Sequence, residues 1–232
     1  IKQIYRWLPF KKNVFILLKK IWLPPKRLYQ HLHFQGKIKV KTLGGNTFRM
    51  HHYGFELENE LFWRGIKNGW EQQSMQLWEK LCTMNECIVD VGANTGVYAL
   101  IAKTLKPNAQ IFAFEPVKRV YKKLEDNLAL NNYQDVVSIE KALSNADGEA
   151  LIYDQEAASH TYSVTVGKNL NTAETKSIET TIAITRLDTF IEQHQLKKID
   201  LIKIDVETHE PEVLEGMGKY LQQMRPTMLI EI

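Results

Sequence analysis

With 232 residues, 44% of them hydrophobic and 25% charged, the chain can bury one substantial core, and its composition is neither collagenous nor that of a disordered protein. The net charge of +3 conceals two regions of opposite sign: residues 1–55 hold twelve Lys/Arg and no Asp/Glu, and the remainder carries −9. No apolar run approaches the ~20 residues that a bilayer-spanning helix requires.

Residues 1–30 interleave Tyr5, Trp7, Phe10, Phe15, Leu17, Leu18, Ile21, Trp22 and Leu23 with lysines and break at Pro24-Pro25. A short basic amphipathic helix around 11–23 is expected. Its apolar face has two uses open to it, docking on the neighbouring domain or lying in a membrane interface. Lys37–Lys41 and Thr47–His52, joined by Gly44-Gly45-Asn46, predict a β-hairpin. The histidines 31, 33, 51 and 52 form no ligand set and are expected to pack or to face solvent. Residues 1–69 are accordingly assigned to a basic N-terminal extension, and 70–232 to an α/β domain.

From Trp70 an apolar face recurs at Met75, Leu77, Trp78 and Leu81, as in a helix. Cys87–Val91 is a buried strand that breaks at Gly92 and passes through Ala93-Asn94-Thr95-Gly96 into the apolar helix 96–105. A strand that stops on glycine and turns at once into a helix opens a nucleotide site at a strand's carboxyl end. The Gly-x-x-x-Gly spacing differs from the Gly-x-Gly-x-x-Gly of dinucleotide enzymes. A strand at Gln110–Phe114, a helix at about Val117–Leu130 and a third strand at Asp135–Glu140 follow. Strands alternating with helices at this spacing predict right-handed βαβ units and a parallel sheet.

Residues 144–185 break the rhythm with short β-rich pieces (Ala150–Tyr153, Tyr162–Val166, Thr180–Thr185), which suggests an antiparallel insertion. A short helix at Leu187–His194, a fourth core strand at Leu201–Ile204, a helix around Pro211–Gly216 and a fifth strand at Met228–Ile232 complete the pattern. Cys82 and Cys87 are expected as buried thiols rather than a bridge, which favours a reducing, intracellular compartment. The expected location is the cytoplasm, with membrane association through the basic segment left open.

Glu115 ends the second core strand, 23 residues after Gly92, where an acidic side chain accepts hydrogen bonds from ribose hydroxyls. Asp90 would orient the glycine loop or meet a cationic part of the ligand. Asp205, Glu207, His209 and Glu210 lie just past the fourth strand, on the same sheet edge, with Glu231 ending the fifth strand beside them. His209 is the convenient general base, although it also fits helix-entry packing. Glu207, Glu210 and Glu212 also suit a helix N-terminus through its dipole. Glu71 is a weaker candidate for closing the site.

The blocks Asp90-Val-Gly-Ala-Asn-Thr-Gly96, Phe114-Glu115-Pro116, Ala142-Leu143-Ser144, Leu187-Asp188, Lys203-Ile-Asp-Val-Glu207 and Glu210-Pro-Glu-Val-Leu-Glu-Gly216 together resemble the FkbM family of S-adenosylmethionine-dependent methyltransferases. The resemblance covers roughly residues 70–232. Thr208 departs from it, standing where the family usually has glycine. The resemblance implies an α/β class I methyltransferase (Rossmann-like) fold, a parallel sheet with helices on both faces. Five of its seven strands are visible, so the final antiparallel pair is expected to be missing from this chain. It also implies S-adenosylmethionine as cofactor, with Asp90, Gly92, Asn94, Thr95 and Gly96 on its methionine and ribose side. Glu115 would bind the ribose, Ser144 would border the adenine, and Asp205 would complete the cofactor set.

His209, Glu207 and Glu231 are the catalytic candidates for O-methylation of a small-molecule or saccharide hydroxyl. A divalent cation on the carboxylates is conceivable, but nothing in the pattern fixes one. The alternatives are a non-catalytic cofactor-binding or membrane-associated scaffold and a nucleic-acid methyltransferase. The last is disfavoured by the acidic catalytic half and the lack of an Asn-Pro-Pro-Tyr-type motif. Nothing in the sequence indicates an oligomeric state.

Overall fold

The structure, a computed structural model, describes residues 10–69, 71–154, 164–166 and 178–231. Tyr5, Trp7, Trp70, Tyr162 and Ile232, which figured in the expected elements, lie outside these residues.

A five-stranded parallel sheet organises the molecule: β3 (Cys87–Val91), β4 (Gln110–Phe114), β5 (Val136–Ile139), β10 (Leu201–Ile204) and β11 (Thr227–Ile230), in the spatial order β11-β10-β3-β4-β5. Chain direction across the sheet reverses between β3 and β10, the switch point at which doubly wound folds bind ligands. This is the class I methyltransferase arrangement that the motifs imply. β3 and β10 are buried along their whole length, as central strands covered on both faces must be. β11 lies at one edge, with Thr227 and Met228 exposed.

The pleat sorts side chains between two layers. Ile88, Ile111 and Leu201 face a cluster with Leu100 and Ile101 of α6 (Val97–Leu105) and Leu124 and Leu128 of α7 (Lys118–Leu130). Val89, Phe112 and Ile202 face the opposite cluster, with Phe190 of α8 (Leu187–Gln193) and Val213 of α9 (Glu210–Gly216). α10 (Tyr220–Met224) adds Tyr220 and Leu221 at its rim.

The expected insertion is a sheet in the order β6-β9-β7-β8, formed by Ala142–Leu143, Gly148–Asp154, Val164–Val166 and Ile178–Thr185 numbered in chain order. β7 pairs antiparallel with β8 and β9, whereas β6 runs parallel to β9.

The N-terminal region is more elaborate than a helix and a hairpin. α1 (Lys11–Ile21) and α2 (Lys26–Tyr29) precede the hairpin β1 (Gly36–Lys41)–β2 (Thr47–His52), and α3 (Glu56–Trp63) and α4 (Gly65–Asn68) follow it. α3 escapes the sequence reading because it lacks a one-sided apolar face: Glu58, Asn59 and Glu60 are buried along with Leu61, Phe62 and Trp63. Tyr29 and Asn59 supply part of the polar pairing, with Tyr29 Oη donating to Glu60 at 2.8 Å and Asn59 Nδ2 donating to the Tyr29 carbonyl at 2.9 Å. α5 (Gln72–Met84) leads into β3.

Phe15, Phe34 and Trp63 belong to the same hydrophobic cluster as Trp78, Leu100 and Ile111, so residues on both sides of position 69 share a core. The free edge of β2 is covered by α7. Asn127 accepts from the His51 amide at 2.7 Å, and one turn later Asn131 accepts from the Arg49 amide at 2.7 Å and donates to its carbonyl at 2.6 Å. Two amides spaced four residues apart thus take the place of a third strand. Cys82 and Cys87 are free and buried.

Candidate active site

A cavity of about 690 Å³ opens at the carboxyl ends of β3, β4, β10 and β11. Its floor is the turn after β3. The amides of Gly92 and Ala93 donate to the Phe114 carbonyl at 3.1 and 2.8 Å, which locks the turn against β4. A Cβ on Gly92 would lie 1.9 Å from the Asp205 carbonyl oxygen, and its φ of 74° is one that side chains resist. Glycine is therefore required where the β3 and β10 loops meet. Gly96, φ 89°, begins α6 with Leu124 Cδ1 only 2.5 Å from where a Cβ would sit.

Glu115 closes the second wall. One carboxylate oxygen accepts from the Asn94 amide at 3.0 Å and the other from the Val117 amide at 2.9 Å. Burial pushes its pKa up to about 7 against the pull of those two amides. Each oxygen still has a lone pair for a ligand hydroxyl. Ala142, Leu143 and Ile152 of the inserted sheet form an apolar wall beyond it.

The opposite end is crowded with charge. The Lys203 ammonium, buried in β10, lies 2.9 Å from Asp205 Oδ2, 4.0 Å from Asp90 Oδ1 and 4.7 Å from the centre of the Tyr98 ring. Burial opposes its charge, but Asp90 and Asp205 outweigh that and raise its pKa. Tyr98 Oη donates to Glu71 at 2.9 Å. Burial lifts the Glu71 carboxyl above its ordinary range. Glu231 rises to about 7 through burial and the neighbouring charges of Glu71, Asp205 and Glu207.

Lys26, Glu56 and Leu57 of the N-terminal region complete the lining. Backbone strain also gathers here, because Glu71, Asn94, Glu207 and Thr208 all line the cavity with φ between 52° and 78°. Such strain persists where surrounding structure over-determines the conformation, and it concentrates at binding sites.

Of the residues singled out from the sequence, Gly92, Asn94, Glu115, Asp205, Glu207, His209 and Glu231 line this cavity. Asp90, Thr95, Gly96 and Ser144 stand behind the wall. Asp90 is fully buried, accepts from the Ala99 amide at 3.0 Å and is raised to about 6 by burial, so it ties the turn to α6. Thr95 is buried, and its carbonyl receives Asn127 Nδ2 at 2.8 Å. Ser144 is buried, its hydroxyl 3.0 Å from Nε2 of the cavity-lining His209, while His209 Nδ1 lies 3.5 Å from Glu212. Ser144 thus holds one ring nitrogen of His209, and the other faces Glu212 without a hydrogen bond. Among the described residues no group of three or more His, Cys, Asp or Glu is arranged to hold a metal ion.

Sequence reasoning missed Tyr98, Lys203 and Lys26. A lysine inside the otherwise apolar strand Leu201–Ile204 was a legible signal, since a fully buried lysine demands anionic partners. Lys26 gave no signal, because only the tertiary fold brings α2 to the sheet edge.

The Methyltransferase FkbM domain matches residues 90–232. Methyltransferase sdnD of Sordaria araneosa is 30% identical over 171 residues, covering 63% of this chain and 66% of that protein. Hexuronic acid methyltransferase AglP of Haloferax volcanii is 29% identical over 174 residues, covering 75% and 66%. The 2-O-methyltransferase NoeI of Sinorhizobium fredii is 29% identical over 150 residues, covering 60% of each. The chain thus spans slightly less than two thirds of the length of these relatives. With the family domain covering more than half of the chain, and its motif residues gathered at the switch point between β3 and β10, the protein belongs to the FkbM methyltransferase family.

Proposed function

We propose that the protein is an S-adenosylmethionine-dependent methyltransferase acting on a hydroxyl of a saccharide. The observation that carries this reading is the polarity of the cavity. One end is a glycine turn, a hydroxyl-accepting carboxylate and an apolar wall, and the other is a cluster of carboxylates around Tyr98 and Lys203.

The first end fits an adenosyl ligand. Gly92 lets the β3 and β10 loops close together at the floor, Glu115 has lone pairs for ribose hydroxyls, and Leu143 and Ile152 offer an apolar face for a base. When bound, S-adenosylmethionine supplies an electrophilic methyl group on a sulfonium.

The second end suits a polyol, whose hydroxyls are recognised by fixed carboxylates and phenols. Glu231 is the base favoured by its environment. Held at about 7, it is available as a carboxylate near neutral pH and can take the proton that the acceptor oxygen loses as it gains the methyl. His209 is the second choice, because Ser144 already occupies its Nε2. Two of the relatives, by name a hexuronic acid methyltransferase and a 2-O-methyltransferase, support an oxygen acceptor on a sugar.

The test is transfer of labelled methyl from S-adenosylmethionine to fractionated saccharides, with Glu231→Gln and His209→Ala assayed beside the wild type. Transfer is expected to fall about 100-fold in Glu231→Gln, with cofactor affinity retained, and to survive in His209→Ala. S-adenosylmethionine should also raise the melting temperature where NAD does not. Cofactor binding without transfer to any acceptor would favour a scaffold instead.

A further inference from the structure

We propose that α1 and the residues just after it form a docking surface for an anionic lipid membrane, beside the mouth of the cavity. α1 is held to the body by its other side. Phe15 is buried, with its ring centroid 6.0 Å from that of Phe34 and 5.6 Å from that of Trp63. The Lys19 ammonium turns inward to the Phe62 carbonyl and lies 5.2 Å from the centre of the Phe62 ring.

The outward side carries apolar residues at helical spacing. Phe10 is 76% exposed, Val14 44%, Leu17 59% and Ile21 86%. At about 100° per residue these four fall within roughly 60° of arc, and Lys11 and Lys20 lie about 90° to either side. Trp22, Leu23 and Leu28 extend the exposed apolar surface beyond the helix, with Arg27 and Lys26 among them.

An apolar stripe between flanking lysines is how a helix lies along a headgroup boundary, with its aliphatics entering the acyl region and its ammoniums meeting phosphates. Eleven residues make a helix of roughly 16 Å, which can lie along a bilayer but not cross it. Charge selects the occupant. α1, α2 and their link carry six Lys/Arg and no Asp/Glu, while residues 56–232 carry −9, so an anionic surface is drawn to this side. A nucleic acid would use the lysines but leave the aliphatic stripe in water. A two-fold pairing with a second copy would cover the stripe but crowd like charges around it.

The surface adjoins the cavity because Lys26, in α2 directly after the Trp22–Pro25 link, lines the cavity and lies 3.4 Å from Glu60 and 4.0 Å from Glu56.

The test is co-sedimentation of the full chain with phosphatidylcholine vesicles with and without phosphatidylglycerol, alongside sedimentation velocity of the protein alone. Binding is expected only with phosphatidylglycerol and should weaken as salt rises. Leu17→Glu with Ile21→Glu, and separately Lys20→Glu with Arg27→Glu, should each weaken it about tenfold or more with circular dichroism unchanged. Absence of vesicle binding, or equal binding to phosphatidylcholine alone, overturns the proposal. So does a concentration-dependent dimer abolished by Leu17→Glu with Ile21→Glu, which would assign the stripe to a second copy. Binding to an oligonucleotide lost only in the lysine and arginine variant would assign the charge to nucleic acid and also overturn it. Methyl transfer to a soluble saccharide is read separately, so failure of the docking surface and failure of the proposed activity are distinguishable.

Discussion

Glu207 and Thr208 form the tightest point of the loop after β10, both in the left-handed region at φ 53° and 78°. A β-branched side chain there costs about 1–2 kcal/mol. The loop holds because Glu210 accepts from the amides of Val206 and Thr208, each at 3.3 Å. Thr208→Gly should therefore stabilise the protein, by about 1 kcal/mol once the added freedom of the unfolded chain is subtracted. Urea denaturation measures this, and an unchanged or lower midpoint would show that the threonine is not strained. Much at this scale was legible beforehand. The glycine turn at Gly92 and the carboxylate of Glu115 were placed at the cavity by position, because a strand-turn-helix fixes where its own backbone can meet a ligand, whereas Asn94 followed from the family resemblance. Ser144 and His209 were assigned separate roles, and their 3.0 Å contact across 65 positions has no local signature.

Among the elements, α1 and α3 show where pattern reading stops. α1 was read correctly as a basic amphipathic helix, but the pattern could not say which face is covered. The structure buries Phe15 and exposes the larger stripe, so only part of the helix's apolar surface docks on the body. α3 lacks a one-sided apolar face and was passed over, although it supplies Trp63, the platform for both Phe15 and Tyr29. Phe15→Ala should cost about 3 kcal/mol, the usual penalty for emptying an aromatic site in a core. It should also release α1 to proteolysis ahead of global unfolding. Limited proteolysis with urea denaturation checks this, and a change below about 0.5 kcal/mol would mean that α1 is held by its other contacts.

Across the whole molecule, the cost of building the site is a set of carboxylates whose ionisation burial opposes. Asp90 is raised to about 6, and Glu115 and Glu231 to about 7, above unfolded values near ~4. The folded state then binds more protons than the unfolded state between pH ~4 and ~7. The stability these groups contribute is full below ~4 and is lost as pH rises through 6 and 7. His52, lowered to about 4 by burial, opposes them, since its contribution is lost as pH falls below ~6.5. With three carboxylates against it, the protein should be more stable in urea at pH 5.5 than at pH 7.5, and Glu115→Gln should flatten the difference. Equal stability at both values would mean that the carboxylates are ionised at less cost than their burial implies.

The sequence by itself determined the parallel sheet, the glycine turn, the inserted β-structure and the charge asymmetry. These follow from hydrophobic period, glycine placement and residue counts, all of which are local. Only the tertiary structure decided that Lys203 sits among Asp90, Asp205 and Tyr98, that Lys26 reaches the cavity and that α1 turns its aliphatic stripe outward. Such facts depend on which surfaces meet after the chain closes on itself, and contacts between distant segments leave no periodic trace in the order of residues.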